Sequence, residues 1–183
     1  MNVALIGSGN AFFMDEGAGL YAGKYLKENY DFAPAIDIVD GGTLGFRLMP
    51  LLQEYDYVLI ANTSSRDAID AGTIEVLDAQ TLIDQAGLKK TANEVEIAEM
   101  LQICSMARHC ADVTLVSIVP LDIVSVQVDL TPTLKSAWSR YIETILGELA
   151  RRGIIASPKA GRVTLETIID IFAHPSIEHG RGF

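Results

Sequence analysis

The sequence predicts a three-layer α/β sandwich, with a mostly parallel sheet of about five strands and helices on both faces. Three observations predict it. Short apolar blocks alternate along the chain with segments of helical periodicity. The block from Tyr57 to Ala61 is nearly all apolar, as a strand buried on both faces should be. The first block, Val3-Ala4-Leu5-Ile6, runs straight into Gly7-Ser8-Gly9-Asn10, the strand-to-turn junction of an open α/β sheet.

Taken in order, Val3 to Ile6 reads as the first strand. Gly17 to Asn29 reads as a helix, with Leu20, Lys24 and Lys27 spaced along it. Ile36 to Val39 is a second strand, ended by Asp40-Gly41-Gly42. A helix from Leu44 to Leu52 leads to the third strand at Tyr57 to Ala61. Asn62 to Gly72 is polar, carries Asp67 and Asp70, and reads as a loop. Thr73 to Leu77 suits a shorter fourth strand. Ala92 to His109 reads as a helix, with Val95, Ile97, Met100, Leu101 and Ile103 on its apolar side. Val113 to Val119 is another strand, stopped by Pro120. Thr131 or Thr133 caps a long helix to about Arg152, whose inner stripe is Trp138, Ile142, Ile145 and Leu149. Beyond Gly153 come Pro158, Pro175, Gly180 and Gly182, with a modest apolar stretch from Val163 to Phe172. The expected organisation is one domain over 1–153 and a peripheral, loosely attached extension over 154–183 with one short helix.

Composition narrows the function classes. The 183 residues carry a formal net charge of −10 and a pI near 4.6, which disfavours nucleic acid and anionic lipid as partners. No uncharged apolar run is long enough to span a bilayer, and no signal-peptide pattern opens the chain, so no membrane insertion and a cytoplasmic address are expected. Cys104 and Cys110 fit neither CxxC nor a zinc ribbon, and read as reduced, packed thiols. His109, His174 and His179 form no HExxH pattern. Gly7-Ser8-Gly9 begins like a dinucleotide fingerprint, but Phe12 stands where the third glycine belongs, and the following acids would repel a pyrophosphate. No GxSxG elbow and no cysteine–histidine pairing is visible, which leaves carboxylate- or metal-assisted hydrolysis if the chain is a hydrolase.

The C-terminal ends of the first three strands project Gly9 to Gly17, Asp40 to Gly45, and Asn62 to Ser65 toward one edge of the sheet. Asp15, Glu16, Asp40 and Asn62 can meet there, joined by the helix start at Asn93-Glu94. Each has a plainer reading. Asp15 and Glu16 suit a helix N-terminus. Asp40 before two glycines suits a turn. Asn62 and Asn93 suit a strand end and a helix N-cap.

Together, Gly7-Ser8-Gly9-Asn10, Asp15-Glu16-Gly17-x-Gly19 and Asp40-Gly41-Gly42-Thr43-x-Gly45 resemble the nickel–iron hydrogenase maturation endopeptidases, which carry GxGN, DEGxG and DGGTxG in this order. The segment from Leu115 to Leu134, with Pro120 and Leu130-Thr131-Pro132, is similar to that family's later strand and helix start. The resemblance spans residues 1 to about 150. It implies an α/β sandwich that removes a C-terminal peptide from a hydrogenase large-subunit precursor once nickel is installed. It further implies three nickel-recognising positions, which fall here on Glu16, Asn62 and Asn93, with Glu16 and Asp40 as the catalytic candidates. Where the family reads I-V-D-A, this chain reads Leu59-Ile60-Ala61-Asn62; where it reads H-E-V, this chain reads Asn93-Glu94-Val95. Nickel prefers imidazole and anionic donors to a neutral amide, so the free protein is expected to bind it weakly. Three readings follow: the substrate supplies most of the metal's ligands; Asp15, Asp67 or Asp70 replaces the lost carboxylate; or the chain is an inactive relative that acts as a binding module in hydrogenase assembly.

Overall fold

The apolar run from Tyr57 to Ala61 forms most of the central strand of the sheet. The computed structural model describes residues 1–43, 45–65, 69–84, 92–107 and 109–175, without the side chains of 92 and 93. Strands β1 (Val3–Ser8), β3 (Asp37–Gly42), β4 (Tyr57–Thr63), β5 (Ile74–Asp78) and β6 (Asp112–Ile118) make a five-stranded sheet in the order β3-β1-β4-β6-β5. β1, β3, β4 and β6 are parallel; β5 runs antiparallel along the edge of β6. Every residue of β1 and β4 is buried, which accounts for the apolar runs Val3–Ile6 and Tyr57–Ala61 within them. A second sheet pairs β2 (Tyr30–Ala33) antiparallel with β7 (Ile155–Pro158).

Helices cover both faces. Against one pack α1 (Ala18–Asn29), α5 (Pro132–Arg151) and α6 (Leu165–Ala173), with Leu5, Tyr21, Leu59, Val116, Trp138 and Phe172 in one core. Against the other pack α2 (Met49–Glu54), α3 (Ala79–Asp84) and α4 (Ala92–Ser105), with Ile6, Leu52, Ile60, Ile97 and Leu115 in a second. The α5 N-terminus is capped by Thr131, with Pro132 at the first helical position, as the sequence predicts. The expected helix from Leu44 is a 3₁₀ turn, Gly45–Leu48, followed by α2; Leu44 itself lies outside the described residues.

The expectation of a loosely attached extension after Gly153 is corrected. Ile154, Leu165, Ile168, Ile169 and Phe172 are buried in the first core. Asn29, at the end of α1, is also buried and ties that segment down. Its Nδ2 donates to the Val163 carbonyl at 3.1 Å, and its Oδ1 accepts from the Val163 N–H at 2.7 Å. The apolar stretch at 163–172 is therefore core sequence, and residues 154–175 complete the domain. The prolines and glycines around it mark turns, not detachment.

The chain runs from β1 outward to β3, then returns to the other side of β1 to form β4. The order reverses at β1 and β4, and open α/β sheets place their ligand crevice at such a reversal, beyond the carboxyl ends of the strands.

Candidate active site

At the end of β1 the chain leaves the sheet through Gly9, whose φ of +150° is strained for any residue with a side chain. A Cβ at Gly9 would also collide with the Glu16 carbonyl. Residues 10–13 then lead into a 3₁₀ turn, Met14–Gly17, which lies against β4 and precedes α1. A Cβ at Gly19 would collide with the carbonyl oxygens of Ser8 and Ala61, so the start of α1 sits directly on the ends of β1 and β4. The glycines of the DEGxG segment therefore let the turn that carries the two acids reach the crevice.

Asp15 is fully buried and its carboxylate accepts four hydrogen bonds. The N–H groups of Leu121 and Asp122 donate to Oδ2 at 2.9 and 3.0 Å. The Thr131 N–H donates to Oδ1 at 2.7 Å, and Thr131 Oγ1–H donates to Oδ2 at 2.9 Å. Backbone bonds add to the tie: the Met14 N–H donates to the Gln127 carbonyl at 2.9 Å, and the Asp15 N–H to the Asp122 carbonyl at 3.1 Å. Met14 is held at φ +39°, a strained value for a residue with a side chain, by these flanking bonds. Asp15 thus fastens the segment 120–131 over the turn. Both of its oxygens are engaged in holding that segment.

Glu16 is the second acid, 8% exposed. Asn62 lies one residue beyond the last β1–β4 register pair, Gly7 with Ala61, and is buried. Ser117 Oγ–H, directly opposite on β6, donates to Asn62 Oδ1 at 2.6 Å, and Asn62 Nδ2 donates to the Thr63 carbonyl at 3.0 Å. Asn93 lies in the first turn of α4; its side chain lies outside the described residues. Its neighbour Glu94 is buried and grips the chain just past Asn62. The Ser65 N–H donates to Glu94 Oε1 at 2.9 Å, and Ser65 Oγ–H donates to Oε2. The 3₁₀ turn, the end of β4 and the start of α4 are therefore gathered at one end of the sheet.

Asp40 forms the predicted turn. Its Oδ1 accepts from the Gly42 N–H at 2.9 Å, with Gly42 at φ +46°. The Gly42 carbonyl accepts from the Gly9 N–H at 2.9 Å and from Ser8 Oγ–H at 3.2 Å, which joins this turn to the one leaving β1. Burial pushes the Asp40 carboxyl above the usual aspartate range, against the opposing pull of the Gly42 N–H and the Lys24 charge. Asp70 is exposed and lines a cavity with Arg140 and Glu143 of α5, and Asp67 lies outside the described residues. Among the described residues, no group of three His, Cys, Asp or Glu side chains is placed to hold a metal ion. Nor is any helix among them long and apolar enough to cross a membrane.

The profile of the HycI hydrogenase maturation protease family matches residues 20–148. The chain belongs to the hydrogenase maturation protease family. Among its relatives in this family, the hydrogenase 2 maturation protease of Escherichia coli is 24% identical over 160 residues, covering 87% of this chain and 97% of that one. The hydrogenase expression/formation protein HupM of Azotobacter chroococcum is 25% identical over 166 residues, covering 87% and 77%. The solved structure of the E. coli maturating endopeptidase HybD matches the fold with a TM-score of 0.81 at 24% identity, covering 87% of this chain and 99% of that one. HybD from Thermococcus kodakarensis matches with a TM-score of 0.62 at 20% identity, covering 82% and 99%.

Sequence reasoning missed Ser117, Ser65 and the role of Glu94. Ser117 meets Asn62 only through the register of β4 with β6, two strands far apart in sequence. Glu94 had a visible signal, an acid at a helix start, but its partner Ser65 lies in a loop that carries no periodicity.

Proposed function

We propose that this family member is an endopeptidase that removes a C-terminal peptide from a nickel-loaded hydrogenase large-subunit precursor. Glu16 is the carboxylate that engages nickel held on the substrate, and Asp40 orients or deprotonates the attacking water. The observation that supports the reading is placement: the buried turn that carries Glu16 is fixed by the hydrogen bonds of Asp15 and lies against β4 at the sheet's topological reversal.

The donor set does not suit a resident nickel ion. Glu16 supplies one carboxylate, and the Asn62 oxygen is neutral and already accepts from Ser117. Neither amide position offers the imidazole or anionic donor that nickel favours. The arrangement suits an ion that arrives with most of its ligands already supplied by the precursor. Recognition of the metal then tests whether the substrate is loaded. The base in peptide hydrolysis must reach the water and hold a pKa toward the working pH. The raised pKa of Asp40 moves it in that direction.

Incubation with nickel-loaded and nickel-free precursor, read by intact mass, tests the proposal. Loss of the C-terminal peptide only from the loaded form is expected. Complex formation without cleavage would instead establish the binding-module reading. Glu16→Gln should abolish the preference for loaded precursor.

A further inference from the structure

We infer that the segment 120–131 is a preformed docking surface for an apolar segment of the large-subunit precursor, flanking the peptide to be cut. The inference rests on the endopeptidase reading for the identity of the partner, and on the following geometry for the surface.

Leu121, Val124 and Val126 are exposed at 62%, 79% and 77%, although the chain is otherwise acidic, with a net charge of −10. Three exposed apolar side chains within six residues are an unusual use of a loop, where polar residues are expected. The loop is not slack. Asp15 holds both of its ends, at Leu121 and Asp122 and at Thr131, and Met14 holds its middle at Gln127. Asp122 organises the tip: its Oδ1 accepts from the Val124 and Ser125 N–H groups, each at 2.9 Å, and its Oδ2 accepts from Ser125 Oγ–H at 2.6 Å. These bonds pair the Val124 and Ser125 N–H groups within the loop, while the side chains of Leu121, Val124 and Val126 stay exposed. A surface ordered before the partner arrives loses little conformational entropy on binding.

Continuity with the site selects the occupant. The carboxylate that fastens the loop belongs to the residue preceding Glu16, so a chain lying on Leu121, Val124 and Val126 borders the turn that carries Glu16. A protease that recognises a folded precursor must hold it beside the scissile segment, and this surface adjoins that position. Asp122 carries a carboxyl lowered by its bonds to Ser125 and Val124, so it is ionised at neutral pH, and the acidic surroundings select a segment with neutral or basic flanks.

The test uses the full chain with Asp40→Asn, so that bound precursor is consumed slowly while Glu16 is retained. Affinity for nickel-loaded precursor is measured by calorimetry in this background and in Leu121→Ser/Val124→Ser/Val126→Ser, with thermal melting of each to confirm an intact fold. A second variant, the single change Val124→Asp, keeps the test informative if the triple variant melts early. The surface predicts at least a tenfold loss of affinity in both, with melting unchanged in the single variant. Equal affinity in the variants, or no binding by the parent, overturns the inference. If the parent binds and the variants do not, yet the protein without the Asp40 change leaves the precursor uncut, the docking surface stands and the cleavage reading fails.

Discussion

Asp15 and Thr131, 116 positions apart in sequence, are bonded twice: Asp15 Oδ1 accepts the Thr131 N–H at 2.7 Å, and Oδ2 accepts Thr131 Oγ1–H at 2.9 Å. The same Thr131 Oγ1 accepts from the Leu134 N–H at 3.4 Å as the cap of α5. A single buried carboxylate thus couples the turn leaving β1 to the start of the longest helix.

That coupling predicts the cost of losing Asp15. Asp15→Ala strands three backbone N–H groups and one hydroxyl, and a buried donor left unpaired costs about 1–3 kcal/mol. Relaxation and water entry recover part of this, so the expected loss is about 3–5 kcal/mol, or roughly 10 °C in melting temperature for a chain of this size. Hydrogen exchange at Leu121, Asp122 and Thr131 should accelerate together. Exchange that rises at only one of them would show that the loop has other anchors.

Much of this arrangement is legible in the sequence, and the rest is hidden for definable reasons. β1 and β4 are visible because burial on both faces demands an unbroken apolar run. α5 is visible because its inner stripe recurs at helical spacing behind a threonine cap. β2 and β7 are not visible: each has four residues, and they find each other only after the fold has brought the ends of α1 and α5 together. The antiparallel direction of β5 is likewise set by where its connection crosses the sheet, which periodicity does not encode. At the site, glycine and acid motifs locate the turns, but they do not show that Asp15 fastens a distant segment. That role rests on Leu121, Asp122 and Thr131, which are distant in sequence.

The segment after Gly153 should not be removable. Truncation at Gly153 deletes Ile154, Leu165, Ile168, Ile169 and Phe172 from the core. At about 2 kcal/mol for each buried side chain, the loss approaches roughly 10 kcal/mol, comparable to the whole stability of a typical domain. The truncated chain should show no cooperative thermal transition by circular dichroism. A cooperative melt near that of the full chain would show that α6 contributes little.

The raised pKa of Asp40 has a definite sign. Burial disfavours its charged form, so folding weakens its acidity and the unfavourable contribution is present above the folded pKa and relieved as pH falls through it. If Asp40 is the base, the acid limb of kcat/KM lies above the pKa of an ordinary aspartate. Asp40→Asn keeps an oxygen for the Gly42 N–H but cannot take a proton. It should lower kcat by about 10²–10⁴-fold with little change in melting, which steady-state kinetics and calorimetry read together. A variant that keeps full activity would remove Asp40 from the chemistry.

The cysteines should be inert in the folded protein. Cys104 is buried, and burial together with the neighbouring Cys104 thiol pushes Cys110 up to about 12. At pH 8 the Cys110 thiolate is a negligible fraction, and the thiolate is the species that alkylates. Iodoacetamide should leave the native mass unchanged over an interval that fully modifies the denatured chain. Rapid native labelling of one thiol would show a lower pKa or an opening at the end of α4.

The weakness of the free protein toward nickel should be reversible by two substitutions. Asn62→Asp keeps an oxygen for Ser117 Oγ–H but gives up the bond to the Thr63 carbonyl, so the metal-free variant should lose about 1–2 kcal/mol of stability. Asn93→His places an imidazole in the first turn of α4, the element whose Glu94 already grips Ser65 beyond the end of β4. With Glu16, the pair supplies two anionic oxygens and one nitrogen, a set that nickel accepts far more readily than two amides. Isothermal titration with nickel should therefore show no saturable binding at micromolar concentration in the unmodified protein and clear binding in the double variant. Binding should strengthen with pH as the imidazole loses its proton, and melting should rise when the metal is present, because only the folded chain assembles the three donors. Adding Glu16→Gln to the double variant should remove most of the gain. Tight binding by the unmodified protein would show that another donor completes the site, and would overturn the view that the precursor brings the metal with its ligands.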